Sequence, residues 1–154
     1  MTLPFEIITE SAEQTEDAGA SLAKLLLGDS SLPRFIAMYG DLGVGKTAFV
    51  RGFTRAIAPD ASVKSPTFAL VNEYGSKRST IYHFDMYRIT DEDDLYSTGF
   101  YDYISGNAFC IVEWSENIPY AIPDSYLRVN IEKNSLEDTD SRLLQISYET
   151  DSRK

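Results

Sequence analysis

The sequence predicts an α/β fold in three layers around a mixed, mainly parallel central sheet, on the strength of three observations. Apolar runs of strand length alternate with stretches of helical periodicity. The run "FIAMY" at 35–39 feeds directly into a glycine-rich turn and then a helical stretch. The last third carries two segments with period-two alternation, "SYLRVNIEK" and "RLLQISYE".

Taken in order, "FEIITE" reads as a short strand. From Ser11 to Leu27 the residues Ala12, Ala18, Leu22, Leu25 and Leu26 recur at helical spacing, and Gly28 and Asp29 end the pattern. After "FIAMY", a second helix runs from about Lys46 to Ile57 and stops before Pro59, whose ring disfavours helical geometry in the residue ahead of it. "TFALVNEY" and "TIYHFDMYRI" are rich in β-branched and aromatic residues and flank the polar turn "GSKRS", the pattern of a hairpin. A short acidic helix around "DEDDLYSTG" precedes the buried-strand pattern "AFCIVEW". There is no internal repeat, low-complexity segment or domain-scale linker, so 154 residues are expected to form one domain.

Hydrophobic residues at 43% and charged residues at 25% lie close to globular averages and point to neither a disordered nor a membrane-embedded class. "MTLPFEIITE" lacks a basic n-region and an apolar h-region, and a cytoplasmic location is expected. The single cysteine, Cys110, has no partner for an internal disulfide and reads as a small apolar residue in a buried strand rather than a catalytic thiol. A net charge of -10 repels phosphate backbones, so contact with RNA is expected only through a partner. The acidic runs "TEDAGA", "DEDD" and "LEDTD" read as solvated helix faces or loops.

Gly40, Gly45, Lys46 and Thr47 match G-x-x-x-x-G-K-[ST], between an apolar strand and a helix as that motif requires. Glycines let successive main-chain N–H groups converge on one anion, and the helix N-terminus adds partial positive charge at the same point. Lys46 would bring a full charge to the β- and γ-phosphates, and Thr47 a hydroxyl oxygen to Mg²⁺. The expected nucleotide-binding stretch runs from Gly40 through Asp41, Leu42, Gly43, Val44, Gly45, Lys46 and Thr47 to Ala48, with Asp41 and Leu42 as spacers. The other reading is a plain glycine turn between strand and helix.

A metal beside phosphates wants one or two carboxylates as well. Glu113 ends the apolar run "AFCIVEW", where ligands gather at the carboxyl ends of parallel strands. Asp85 in "HFDMYR" is the second candidate. Alternation places His83, Asp85 and Tyr87 on one strand face and Tyr82, Phe84 and Met86 on the other. Without the glycine loop, these would be an ordinary strand-end glutamate and a polar strand face. His83 reads as a hydrogen-bonded structural histidine, and without cysteine neighbours it makes a poor zinc site. Arg88 reads either as a surface charge or as a phosphate-facing group.

Four stretches in order, "GDLGVGKT", "SPTF" at 65–68, "HFDMYR" at 83–88 and "IVEW" at 111–114, give the chain its resemblance to the TsaE family, formerly YjeE. These are bacterial P-loop ATPases required for threonylcarbamoyl modification of tRNA adenosine. The resemblance covers nearly the whole chain and is weakest after about residue 124. It implies a P-loop NTPase-like fold, ATP and Mg²⁺ as ligands, and TsaD and TsaB family proteins as partners, TsaD transferring the threonylcarbamoyl group. It makes Thr47, Asp85 and Glu113 the magnesium-side residues, with Lys46 on the phosphates. Thr67 of "SPTF" becomes a switch-loop threonine sensing the γ-phosphate or its metal, where local pattern alone gives a turn fixed by Pro66. Trp114 occupies the family's post-glutamate tryptophan, near the nucleotide or a partner. "ITESAEQT", with Thr15, resembles the family's segment that approaches the base, although locally it reads as a helix start. No N-K-x-D motif for guanine occurs, and ATP is favoured mainly by resemblance.

Two other classes share the cradle. A small-molecule kinase would also need an acceptor pocket and usually a basic lid, and no arginine-rich lid is evident. A nucleotide switch would organise a complex without useful turnover. Tyr74, Tyr82, Tyr87, Tyr96, Tyr101 and Tyr103 cluster between the switch-like segment and the second acidic strand, as packing or as a docking surface.

Overall fold

The computed structural model describes residues 1–41, 43–66, 70–76 and 79–150. Seven strands form one sheet in the order β1-β7-β6-β2-β5-β4-β3. They are β1 (Phe5–Thr9), β2 (Phe35–Tyr39), β3 (Val71–Ser76), β4 (Ser79–Asp85), β5 (Phe109–Glu113), β6 (Ser125–Lys133) and β7 (Arg142–Thr150). The four central strands β6, β2, β5 and β4 run parallel. The outer strands are antiparallel additions, β3 on β4 and β7 with β1 beyond β6. The expected α/β architecture with a mixed sheet, parallel at its centre, is the one observed.

The helices are α1 (Ala12–Gly28), α2 (Lys46–Ile57), α3 (Glu92–Ser97) and α4 (Phe100–Ile104). Ser11 caps α1 by accepting from the Gln14 amide at 3.1 Å, and Gln14 Oε1 returns the favour by accepting from the Glu10 amide at 2.7 Å. Two cores lie on the two faces of the sheet. On one, Ile36 and Met38 of β2 pack with Leu22 and Leu26 of α1 and Phe49 and Phe53 of α2. On the other, Phe35 and Ala37 pack with Phe84, Leu95, Phe100 and Val112. This in-and-out division of β2 follows from the two-residue period of a strand buried on both faces. Cys110 is buried in the second core.

Helices α1 and α2 meet backbone to backbone. A Cβ placed on Gly52 would stand 1.8 Å from the Glu16 carbonyl oxygen, so only glycine allows this approach. Two partly exposed ion pairs at the rim, Arg51 with Glu16 at 3.2 Å and Arg55 with Asp17 at 3.3 Å, bridge the two helices.

Three element assignments differ from the sequence reading. The strand expected over "TIYHFDMYRI" ends at Asp85. The Met86 amide donates to the Glu113 carbonyl at 3.0 Å and the Ile89 amide closes a turn on Met86 at 3.2 Å, so Tyr87 is exposed on that turn and does not share the face of His83 and Asp85. In "TFALVNEY" the strand begins at Val71, because Leu70 is left-handed at φ 65°; Thr67, Phe68 and Ala69 lie outside the described residues. The helix α4 was not anticipated. Among the described residues no helix is long and apolar enough to cross a membrane.

Candidate active site

The site stands where the parallel strands β2, β5 and β4 end. Strand β2 delivers the chain to Gly40, whose φ of 140° and approach to β6 leave no room for a side chain: a Cβ there would lie 2.3 Å from the Ile131 carbonyl oxygen. The turn continues through Gly43 at φ 76° and Gly45 at φ 103°, and α2 starts at Lys46. Gly45 occupies the helix cap without a capping side chain, which leaves the first-turn amides for an incoming anion. Val44 and Ala48 bury their side chains, so a ligand would meet their main chain. Asp41 is exposed, Thr47 is half-buried in the first turn of α2, and Leu42 lies outside the described residues.

Lys46 is 5% exposed, and its Nζ donates to the Gly40 carbonyl at 2.6 Å. The same ammonium lies 4.0 Å above the centre of the Trp114 ring. Burial lowers its pKa below the ordinary 10.5, opposed by the negative fields of Glu113, Glu116, Asp85 and Asp41. Trp114 follows β5 in the left-handed region at φ 59°, and its ring is tilted against Tyr87 with centroids 5.0 Å apart. Holding a bulky residue there stores roughly 1–3 kcal/mol of strain. The return is that the indole covers the lysine.

Asp85 and Glu113 are the last residues of β4 and β5 and stand opposite one another in the ladder. Both carboxylates are buried. Asp85 Oδ1 accepts from the Tyr87 amide at 2.9 Å, and Glu113 Oε2 is hydrogen-bonded to His83 Nε2. His83 has no exposed surface, in keeping with its reading as a hydrogen-bonded structural residue. Its Nδ1 lies 3.4 Å from the Tyr74 hydroxyl, which donates to the Lys64 carbonyl at 3.0 Å. A file of polar groups thus joins the end of β5 to the main chain at Lys64.

The fold therefore brings Lys46, Asp85, Glu113 and Trp114 together around the loop. Thr15 stands behind it: its hydroxyl is 2.8 Å from that of Thr9, and its methyl lies 3.8 Å from where Gly45 would carry a Cβ. Arg88 is exposed on the turn after β4. Among the clustered tyrosines, Tyr74 is buried, Tyr82 and Tyr103 pack at 4.8 Å beside the second core, and Tyr96 is 75% exposed. Among the described residues no group of three His, Cys, Asp or Glu side chains could by itself hold a metal ion. Any ion here would need further oxygen ligands to complete its shell.

Sequence reasoning missed Arg142, whose Nε donates to the Val44 carbonyl at 3.0 Å and whose Nη2 donates to that of Gly43 at 3.4 Å. It lies 98 positions from Val44 at the head of a strand, and no local pattern distinguishes it. It also missed Glu116, just past the β5 end, as part of the field around Lys46.

A family model described as "Threonylcarbamoyl adenosine biosynthesis protein TsaE" matches residues 9–143. The chain is 41% identical over 97 residues to the tRNA threonylcarbamoyladenosine biosynthesis protein TsaE of Haemophilus influenzae, a match spanning 63% of this chain and 61% of that protein. It is 34% identical over 148 residues to the protein of the same name from Rickettsia bellii, covering 96% of this chain and 97% of that one. Among solved structures, the crystal structure of Bacillus subtilis YdiB superposes with a TM-score of 0.71 at 25% identity, over 97% of this chain and 88% of that one. A match of this extent, on a chain whose loop, paired strand-end carboxylates and P-loop fold are in register with one another, shows that it belongs to the TsaE family of tRNA threonylcarbamoyladenosine biosynthesis proteins.

Proposed function

We propose that this chain binds ATP with Mg²⁺ at the loop from Gly40 to Ala48 and hydrolyses it slowly, supporting the threonylcarbamoyl modification of tRNA adenosine together with TsaD and TsaB family proteins. The observation that carries this reading is a buried ammonium held in the field of two buried strand-end carboxylates beside a glycine loop. Such charges are expensive to bury, and a site that gathers them in one place is expected to spend that arrangement on a charged ligand.

The donor set fits the ion. Mg²⁺ prefers oxygen ligands and is commonly held by one or two carboxylates plus substrate phosphates. Asp85, the Glu113 oxygen not engaged by His83, and the Thr47 hydroxyl would hold it, and it would supply charge neutralisation between the β- and γ-phosphates. Lys46 would exchange its Gly40 carbonyl for a phosphate oxygen and spread the charge developing on the γ-phosphoryl group. The loop amides and the start of α2 would fix the phosphate chain in line for attack by water. Trp114 would limit water beside the ammonium, and Thr67 would report on the γ-phosphate. Thr15, buried beneath Gly45, would support the loop from behind. With a net charge of -10, the chain is suited to reaching tRNA through its protein partners, in a cytoplasmic setting.

The test is ATP hydrolysis measured with and without TsaD and TsaB proteins, beside a direct ATP titration, with Lys46→Ala as control. Turnover that rises with the partners, and binding nearly abolished in Lys46→Ala, is the expected result. Wild-type affinity in that variant would reject the phosphate assignment, and phosphate transfer to an added metabolite in place of release to water would move the chain to the kinase class.

A further inference from the structure

We propose that Arg142 is a positioning residue for the phosphate loop: by taking the Gly43 and Val44 carbonyl oxygens it turns the Val44 and Gly45 amides toward the anion. The inference rests on the reading of this loop as a nucleotide site and names a residue on which its shape depends.

A trans peptide is planar, with its C=O and the following N–H pointing in opposite directions. Fixing the carbonyl of Gly43 therefore fixes the amide of Val44, and fixing that of Val44 fixes the amide of Gly45. Arg142 does both with one rigid fork, Nε to Val44 O at 3.0 Å and Nη2 to Gly43 O at 3.4 Å. Its remaining bonds, from Nη1 to the carbonyls of Thr139 and Ser141, also go to main-chain oxygens. Among the described residues it forms no ion pair with a carboxylate. The whole charge is thus applied to carbonyl dipoles, which makes each bond stronger than one between neutral groups and adds positive potential behind the loop.

Val44 is anchored by its buried side chain, but Gly43 has no packing of its own. A Cβ on Gly43 would meet nothing within 4 Å, whereas one on Gly40 would press on β6. The guanidinium is itself well anchored, because Arg142 begins β7 and pairs in register with Lys133 on one side and Thr9 on the other. Thr9 in turn holds Thr15, which packs under Gly45. The antiparallel extension of the sheet, β1 with β7, thereby braces the loop at two points, Arg142 on its outer carbonyls and Thr15 beneath its last glycine.

A purely structural arginine would tie the β6–β7 connection together through Thr139 and Ser141 and leave nucleotide binding alone. The experiment compares wild type, Lys46→Ala, Arg142→Ala and Arg142→Lys by titration with Mg-ATP and with inorganic tripolyphosphate, beside circular dichroism and the ¹H–¹⁵N resonances of Val44 and Gly45. Arg142→Ala is expected to remain folded, to shift both amide resonances, and to bind both ligands about ten-fold more weakly, as befits the loss of a charge-assisted pair. Arg142→Lys, with the charge but without the fork, is expected to recover only part of that loss. If wild type binds, Lys46→Ala does not, and Arg142→Ala binds as wild type, the positioning role is overturned while the nucleotide reading stands. If wild type binds neither ligand, the nucleotide reading itself falls. Should Arg142→Ala fail to fold, Arg142→Lys decides alone: reduced affinity with shifted resonances supports the proposal, and unchanged affinity rejects it.

Discussion

His83 Nε2 and Glu113 Oε2 are hydrogen-bonded to each other where neither side chain has appreciable contact with solvent. The carboxylate at the end of β5 is thus held from inside the sheet by a residue of the neighbouring strand β4. Replacing His83 by Ala leaves Glu113 with a buried oxygen and an empty volume beside it. The expected loss is roughly 1–3 kcal/mol from the unsatisfied acceptor, with a cavity contribution in addition. Urea unfolding followed by circular dichroism measures it, and an unchanged midpoint would deny the pair its structural weight.

On the proposed nucleotide reading, Lys46 is expected to make binding sensitive to alkaline pH. Burial lowers its pKa below 10.5, so the folded apo protein gives up this proton earlier than an unfolded chain does. A bound triphosphate favours the charged form and draws the pKa back up. Binding is therefore expected to take up protons on the alkaline side, and affinity to fall as pH rises toward 10.5. Titration calorimetry in buffers of different ionisation enthalpy reads the proton count directly, and a count of zero throughout that range would contradict the assignment.

Gly52→Ala tests the contact between α1 and α2. The new methyl would lie 1.8 Å from the Glu16 carbonyl oxygen and 2.4 Å from its carbon, both main-chain atoms that move only with the helix. Destabilisation of roughly 1–3 kcal/mol or more is expected despite alanine's better helix propensity. A rise in melting temperature would show that the two helices tolerate separation.

Cys110 is expected to be inert while the chain is folded. Burial pushes its thiol up to about 12 from an ordinary 9.0. The folded state therefore keeps a proton that the unfolded state releases, and this residue's contribution makes stability fall as pH rises from about 9 toward 12. At pH 8 an aromatic disulfide reagent should label the protein only as fast as it unfolds, and at once in denaturant. Immediate stoichiometric labelling of the native protein would place the sulfur nearer the surface.

The elements with an unbroken apolar run or a regular apolar period were the ones legible from the sequence. Strand β2 is an unbroken apolar run because both faces are buried, and the limits of β2, β6 and α2 follow from pattern and punctuation alone. The extent of β4 was overread, since "HFDMYRI" keeps its alternation through residues the chain uses for a turn. The turn is imposed by long-range hydrogen bonds, Met86 to Glu113 and Asn117 Nδ2 to Met86 O, that local pattern does not encode. Helix α4 was unreadable for a similar reason: five residues, "FYDYI", are too few to show a period, and Phe100 is held by packing on Phe35 and Phe84. In the candidate site, Lys46, Asp85 and Glu113 were legible because their chemistry is tied to motif and strand end. Arg142 was not, because its partners are carbonyl groups that every residue carries.

Trp114 is the only tryptophan in the chain, and its indole lies directly beneath the Lys46 ammonium. Light absorbed by tryptophan is therefore absorbed at the mouth of the glycine loop and nowhere else. The protein carries a native optical reporter at its most informative position, one whose emission should respond when that ammonium moves and whose signal needs no label to interpret.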